Sequence, residues 1–252
     1  MYAFDIERPT TVADAVAALQ AEDAQALGGG QTLIPTLKAR LAAPSALVSL
    51  ANVEGMSGVT AEGGAIRVGG STTHATVAAE ATAYPALASL ASRIGDPAVR
   101  NRGTIGGSIA NNDPAACYPA AALASGATIT TNAREIAADD FFQGMFETAL
   151  EEGEIVTAVS FPIPEAASYA KFLQPASRFA LVGVFVARFA DGVRVAVTGA
   201  SEGGVFRWTE AEQALSANFS ADALDSLTAS SDGLIEDLQR HRADLRSRHR
   251  MA

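Results

Sequence analysis

Two short stretches have the residue types to grip an anion with main chain alone: Leu27-Gly28-Gly29-Gly30-Gln31-Thr32-Leu33 and Thr104-Ile105-Gly106-Gly107-Ser108. Consecutive glycines remove Cβ atoms, so backbone N–H groups can converge on a ligand without steric hindrance. The first stretch also opens a predicted helix, whose orphan N–H groups and positive dipole end favour a phosphate. Gln31, Thr32 and Ser108 add side-chain donors. A glycine pair on its own more often marks a tight turn. Neither stretch is a P-loop, because no Gly-Lys-Ser/Thr follows, and neither is the Gly-x-Gly-x-x-Gly of a dinucleotide-binding strand–helix turn. Two such loops, about 75 residues apart, match the two phosphates of a dinucleotide held between two modules.

Other chemistry is scarce. The chain has one cysteine, Cys117, so no internal disulfide forms. It cannot by itself hold an iron–sulfur cluster, which takes about four thiolates. His74, His241 and His249 are too dispersed for a His-rich zinc site. The 18 basic and 28 acidic residues give a net charge of −10, the wrong sign for a nucleic-acid binder. Only Lys38 and Lys171 are lysines. The five arginines from Arg240 to Arg250 lie on a helical pattern, read as a solvated or partner-facing helix whose last turn suits cations. The absence of a secretory apolar region or an 18-residue apolar run gives the expectation of a soluble cytoplasmic protein.

These features must be positioned by a chain of 252 residues with 48% hydrophobic composition, enough to bury a core without staples. Thr11 with Asp14 signals a helix start, and apolar residues at 12, 15, 16 and 19 continue it. With short strands at Ala24–Leu27 and Leu47–Leu50 and a helix over Thr32–Leu41, residues 1–55 read as a small β-α-β-α-β subdomain. Residues 56–164 read as a second subdomain. It has strands at Ala65–Val68, Ala127–Thr131 and Glu154–Phe161, and helices over Thr73–Glu80, Tyr84–Ile94 and Pro114–Ser125. The run Gly95–Asn112 has a loop composition. Pro162 and Pro164 mark a boundary. Beyond it, residues 165–252 read as an antiparallel sheet with helices. Its strands are Tyr169–Gln174 and Leu181–Phe189, an Asp191-Gly192 hairpin turn, Val193–Gly199 and an edge at Val205–Trp208; its helices cover Thr209–Ala217, Ala221–Leu227 and Leu234–Arg248. The fold class is α+β.

The segment Gly29-Gly30-Gln31-Thr32-Leu33-Ile34-Pro35 resembles the first flavin loop of the FAD-binding medium subunits of molybdenum hydroxylases, the xanthine dehydrogenase and aerobic carbon monoxide dehydrogenase family. Ile94 to Ala110, through Gly95-Asp96-Pro97-Ala98-Val99-Arg100-Asn101-Arg102-Gly103-Thr104, resembles the second loop almost residue for residue. Asp113-Pro114-Ala115-Ala116, Glu154-Ile155-Val156-Thr157, Lys171-Phe172 and Val182-Gly183-Val184 extend the resemblance over nearly the whole chain. It implies a PCMH-type FAD-binding domain of two α/β subdomains, then a C-terminal domain of the carbon monoxide dehydrogenase flavoprotein kind. Gly28, Gly29, Gly30, Gln31, Thr32 and Leu33, with Thr104, Ile105, Gly106, Gly107 and Ser108, would contact the FAD diphosphate and ribityl chain. Val156 would offer backbone to the flavin, and Lys171 would lie near the ring and stabilise negative charge on it. Lys171 also reads as a surface lysine on a strand.

Two positions depart from the family pattern. Cys117 stands where many members carry an acid that helps hold the cofactor's sugar region, so Asn112 or Asp113 would take part instead. Cys117 itself reads as a small buried hydrophobe. Arg178 stands where an Asp often precedes the aromatic position, here Phe179, which reads as a core aromatic rather than a flank to the ring. His74 reads as a capping or loop residue. Neither glycine loop holds His or Cys, so the FAD is expected to be non-covalent. The resemblance further implies a small 2Fe–2S subunit and a large molybdopterin subunit as partners, in a dimer of heterotrimers. Electrons would leave through FAD to a quinone, oxygen or NAD, and the partners would be the source of any membrane association. Alternatives are a stand-alone PCMH-type flavin oxidoreductase and a cofactor-free assembly module.

Overall fold

A computed structural model of the chain describes residues 1–228, so the predicted helix Leu234–Arg248 and the Arg240–Arg250 cluster lie outside the described residues. The first module is β1 (Asp5–Glu7), α1 (Val12–Ala18), β2 (Gln25–Leu27), α2 (Leu33–Lys38) and β3 (Ala46–Ser49), with a parallel sheet in the order β1-β3-β2. Thr11 Oγ1 accepts the Asp14 N–H at 3.1 Å, satisfying one orphan donor of α1. The helix buries Ala15 and packs Val12, Val16 and Leu19 against Val48, Leu50, Val53, Met56 and Ile155.

The second module runs β4 (Val59–Glu62), β5 (Ala65–Gly69), α3 (His74–Glu80), α4 (Pro85–Ser92), α5 (Pro97–Arg100), α6 (Ile105–Asn111), α7 (Tyr118–Ser125), β6 (Thr128–Thr131), β7 (Glu135–Ala137), α8 (Ala138–Phe141), β8 (Phe142–Gly144), β9 (Glu147–Thr148) and β10 (Val156–Pro162). Its antiparallel sheet has the order β4-β5-β10-β6-β7, and β8 and β9 form a separate hairpin. The expected loop over Gly95–Asn112 is corrected: it holds two helices. Asp96 Oδ1 caps α5, which starts at Pro97, and Thr104 Oγ1 caps α6. The low helix propensity of Gly106 and Gly107 hides α6 from composition. Packing restores it, because a Cβ on Gly106 would lie 2.6 Å from the Gly70 carbonyl oxygen.

The third unit is β11 (Ala166–Leu173), β12 (Ala180–Phe189), β13 (Gly192–Thr198), β14 (Phe206–Arg207) and α9 (Thr209–Ala217), followed by a 3₁₀ turn at Ala221–Leu224. The strands pair antiparallel in chain order. This sheet shares the second module's core. All eight residues of α7 are buried, and its alanines let it lie against β10, β12 and β13. Tyr84 meets Phe185 edge-on at 6.1 Å between centroids. Arg194 spans the join, its Nη2 donating to both Asp139 carboxylate oxygens at 2.7 Å and its Nε to the Leu123 carbonyl at 2.9 Å. No helix among the described residues is long and apolar enough to cross a membrane.

Candidate functional site: a diphosphate cradle between two modules

The two glycine stretches meet. A Cβ on Gly29 would overlap the Arg102 carbonyl oxygen and lie 2.5 Å from Gly103 Cα, so the first loop packs main chain to main chain on the residues leading into α6. A Cβ on Gly28 would lie 2.9 Å from Thr104 Oγ1 and 3.8 Å from Gly107 Cα. Gly30 has φ +71°, the left-handed turn that starts α2. Gly28, Gly29 and Gly30 are therefore required for close approach and turn geometry.

The two stretches differ in what they offer a ligand. Among the described residues, no backbone N–H from Gly28 to Leu33 donates a hydrogen bond, and Thr32 has no side-chain cap bond. That leaves six consecutive unspent amides at the start of a helix, where an anion is favoured. Gln31 Nε2 donates back to the Gly29 carbonyl at 3.1 Å, leaving those amides open. The second stretch corrects the expectation of a second set of bare amides. Ile105 N–H donates to Thr72 O at 3.1 Å, Gly106 N–H to Gly70 O at 2.8 Å, Gly107 N–H to Thr104 Oγ1 at 3.2 Å and Ser108 N–H to Thr104 O at 3.0 Å. What it contributes is the dipole end of α6, the Ser108 hydroxyl and space. A Cβ on Gly107 would meet only Thr104 Oγ1, at 3.0 Å, and the residue is exposed.

The acceptors that fix α6 were not found by sequence reasoning. Gly70 and Thr72 follow β5 and run beside Thr104, with Thr73 and Thr104 bridged. The Gly69-Gly70 pair carried that signal, since a Cβ on Gly70 would overlap the Val156 carbonyl oxygen. Val156 itself is buried at the start of β10, so its side chain is core and its carbonyl faces the Gly70 segment. His74 is the buried first residue of α3; its N–H donates to Gly103 O at 2.9 Å, and its Nε2 lies 2.6 Å from where a Gly103 Cβ would be. Burial, then the Arg100 charge, hold its pKa at about 4, so it is neutral.

The remaining predicted residues divide. Asn112 is buried at the left-handed C-cap of α6, and its Nδ2 donates to Gly144 O at 2.7 Å and Glu147 O at 2.8 Å, clamping the β8–β9 hairpin. Asp113 Oδ1 accepts the Ala115 N–H at 2.8 Å, with the residue half-buried. Cys117 is buried, and Lys171 Nζ approaches its Sγ at 3.4 Å and the Arg93 carbonyl at 3.1 Å. Phe179 is corrected as a core aromatic. It is 49% exposed beside Arg178, whose φ is +62°, in the turn joining β11 to β12.

The geometry defines an α+β protein with a row of unspent amides between a small parallel module and the start of a helix in a second module. The family whose description is "FAD binding domain in molybdopterin dehydrogenase" matches residues 2–164, more than half of the chain, and the chain belongs to that family. It is 39% identical over 170 residues to the carbon monoxide dehydrogenase medium chain of Afipia carboxidovorans, covering 64% of this chain and 59% of that one, less than two thirds of its length. It is 34% identical over 222 residues to the nicotine 6-hydroxylase medium subunit of Paenarthrobacter nicotinovorans, covering 82% and 78%. The fold is similar to a chain of the Cu,Mo-CO dehydrogenase in its cyanide-inactivated form, with a TM-score of 0.81, 31% identity and coverage of 92% and 91%. The cofactor is FAD, and the relatives are oxidoreductase subunits. The site fits it: the unspent amides match a diphosphate, and Gly107 leaves room beside them.

Proposed function

We propose that this chain is the FAD-carrying electron outlet of a heteromeric molybdenum hydroxylase. Bound FAD supplies the chemistry of accepting electrons singly or in pairs and passing them on. The Gly28–Leu33 amides hold the diphosphate, with the α6 dipole and Ser108 on the opposite wall. Lys171, carried by β11, would place its ammonium beside the ring, and Val156 would offer backbone to it. A small 2Fe–2S subunit would deliver electrons, because one cysteine cannot hold a cluster. A large molybdopterin subunit would hold the substrate, in a dimer of heterotrimers. A quinone, oxygen or NAD would take the electrons away.

The observation that carries this reading is the run of six unspent amides set against the glycine face of α6. The test is to purify the chain from its host with whatever binds it. Acid-released flavin near one equivalent, with iron and molybdenum co-purifying, is the expected result. A folded but colourless protein would overturn the cofactor assignment, and flavin without either metal would overturn the assembly.

A further inference from the structure

Lys171 is one of two lysines in the chain, and its ammonium is held without an anion. Its two hydrogen-bond partners are the Arg93 carbonyl at 3.1 Å and Cys117 Sγ at 3.4 Å. Arg93 is the C-cap of α4, where a cation meets the negative end of the helix dipole. Among the described residues Lys171 forms no salt bridge. Tyr169 lies two residues earlier on β11, so it shares a face with Lys171. Its hydroxyl lies 2.5 Å from where a Cβ on Gly183 would be, and Gly183 is the cross-strand partner of Lys171. That hydroxyl is buried and has no partner, and burial, then Cys117, raise its pKa and keep it a neutral phenol. A carbonyl and a thiol therefore hold the lysine.

We propose that Cys117 is a positioning residue. It holds the Lys171 ammonium through its sulfur in place of a carboxylate, so an uncompensated positive charge is presented to the flavin. This rests on the reading that the FAD ring lies beside Lys171. A carboxylate at position 117 would form an ion pair with Lys171 and cancel most of that charge. The thiol fixes the side chain and leaves the charge intact. The consequence is a flavin that accepts electrons, and anionic nucleophiles, more readily than it would beside a neutralised lysine.

The test uses the FAD-loaded protein and two readouts: sulfite affinity, followed by loss of the visible flavin band, and the two-electron potential of the bound flavin. Cys117→Asp should weaken sulfite binding by about tenfold or more. A tenfold change in the flavin's redox equilibrium corresponds to about 30 mV for a two-electron couple. Lys171→Met should match it, whereas Cys117→Ser, whose hydroxyl still accepts from the ammonium, should stay within about threefold of the parent. If Lys171→Met shifts both readouts and Cys117→Asp, with FAD bound, shifts neither, the role of Cys117 is overturned. If neither variant shifts them, the placement of the ring beside Lys171 fails as well. Should Cys117→Asp fail to hold FAD, Cys117→Ala decides: weaker sulfite binding by about threefold or more supports the tether, and unchanged binding overturns it.

Discussion

Gly106 and Gly107 are neighbours in one helix turn, yet replacing them should break different things. A Cβ on Gly106 would lie 2.6 Å from Gly70 O, 2.9 Å from Gly70 Cα and 3.0 Å from Gly70 C, all main-chain atoms that cannot step aside. Gly106→Ala should therefore cost about 1–3 kcal/mol of overpacking, which lowers the melting temperature of a chain this size by about 2–4 °C per kcal/mol. Gly107→Val meets only Thr104 Oγ1, at 3.0 Å, and replacing a helical glycine by valine recovers about 0.3 kcal/mol of propensity. Its fold should melt within about 2 °C of the parent. Its methyls, however, add bulk at a residue whose Cα lies 3.8 Å from the Cβ position of Gly28, beside the first loop. Displacing the diphosphate from two of those amides forfeits about 3–6 kcal/mol at about 1.5–3 kcal/mol per charge-assisted bond, or about 10²–10⁴ in Kd. Thermal melts and acid-released flavin per chain measure both effects. A Gly107→Val protein with full flavin content, or one that melts as low as Gly106→Ala, refutes the reasoning.

Thr104→Ala removes the cap that accepts the Gly107 N–H, and should cost about 1 kcal/mol in a denaturant melt. Asn112→Ala deletes two hydrogen bonds to the β8–β9 hairpin and puts alanine at φ +40°; it should destabilise by about 2–4 kcal/mol and speed amide exchange over residues 142–148, while leaving the six-amide loop intact. The His74 pKa falls from 6.5 to about 4 on folding, so between these values the unfolded chain binds a proton the folded chain does not. Stability should be full above pH 6.5 and fall by up to ~3 kcal/mol as pH drops through that window, and a His74→Gln variant should lack that part of the slope in urea melts.

The sequence made local features legible where one segment decides its own structure. Thr11 and Asp14 mark a helix start that the Thr11 hydroxyl does cap, Asp191-Gly192 turns the hairpin between β12 and β13, and Pro162 to Pro164 separate strands of different sheets. It failed where the deciding partner is distant. Nothing in Ile105-Gly106-Gly107 says that two of its N–H groups are already taken by carbonyls of residues 70 and 72, so both loops read as equal sources of free amides. The clamp made by Asn112 was not legible either, because its partners, Gly144 and Glu147, lie more than thirty residues on in a hairpin too short to show a period. Phe179 read as core because a large aromatic normally is. The left-handed Arg178 before it belongs to a turn that leaves the ring half in solvent.

The third sheet is tied into the second module rather than appended to it. Its Lys171 is held by a carbonyl at the end of α4 and by a thiol at the start of α7, both in the second module. Thr198 Oγ1 donates to Pro114 O at 2.9 Å and Ala116 O at 2.7 Å, tying β13 to the segment that leads from α6 into α7. The same α7 therefore sets the Cys117 contact and receives the sheet that carries the lysine. Because Tyr169, Phe185 and Ala196 belong to one core with Ile105 and Ile109 of α6, the lysine and the glycine face of α6 are registered by shared packing. A shift of the sheet would have to open close-packed side chains, at a cost in lost contact and cavity volume, before it could move the charge relative to the diphosphate cradle.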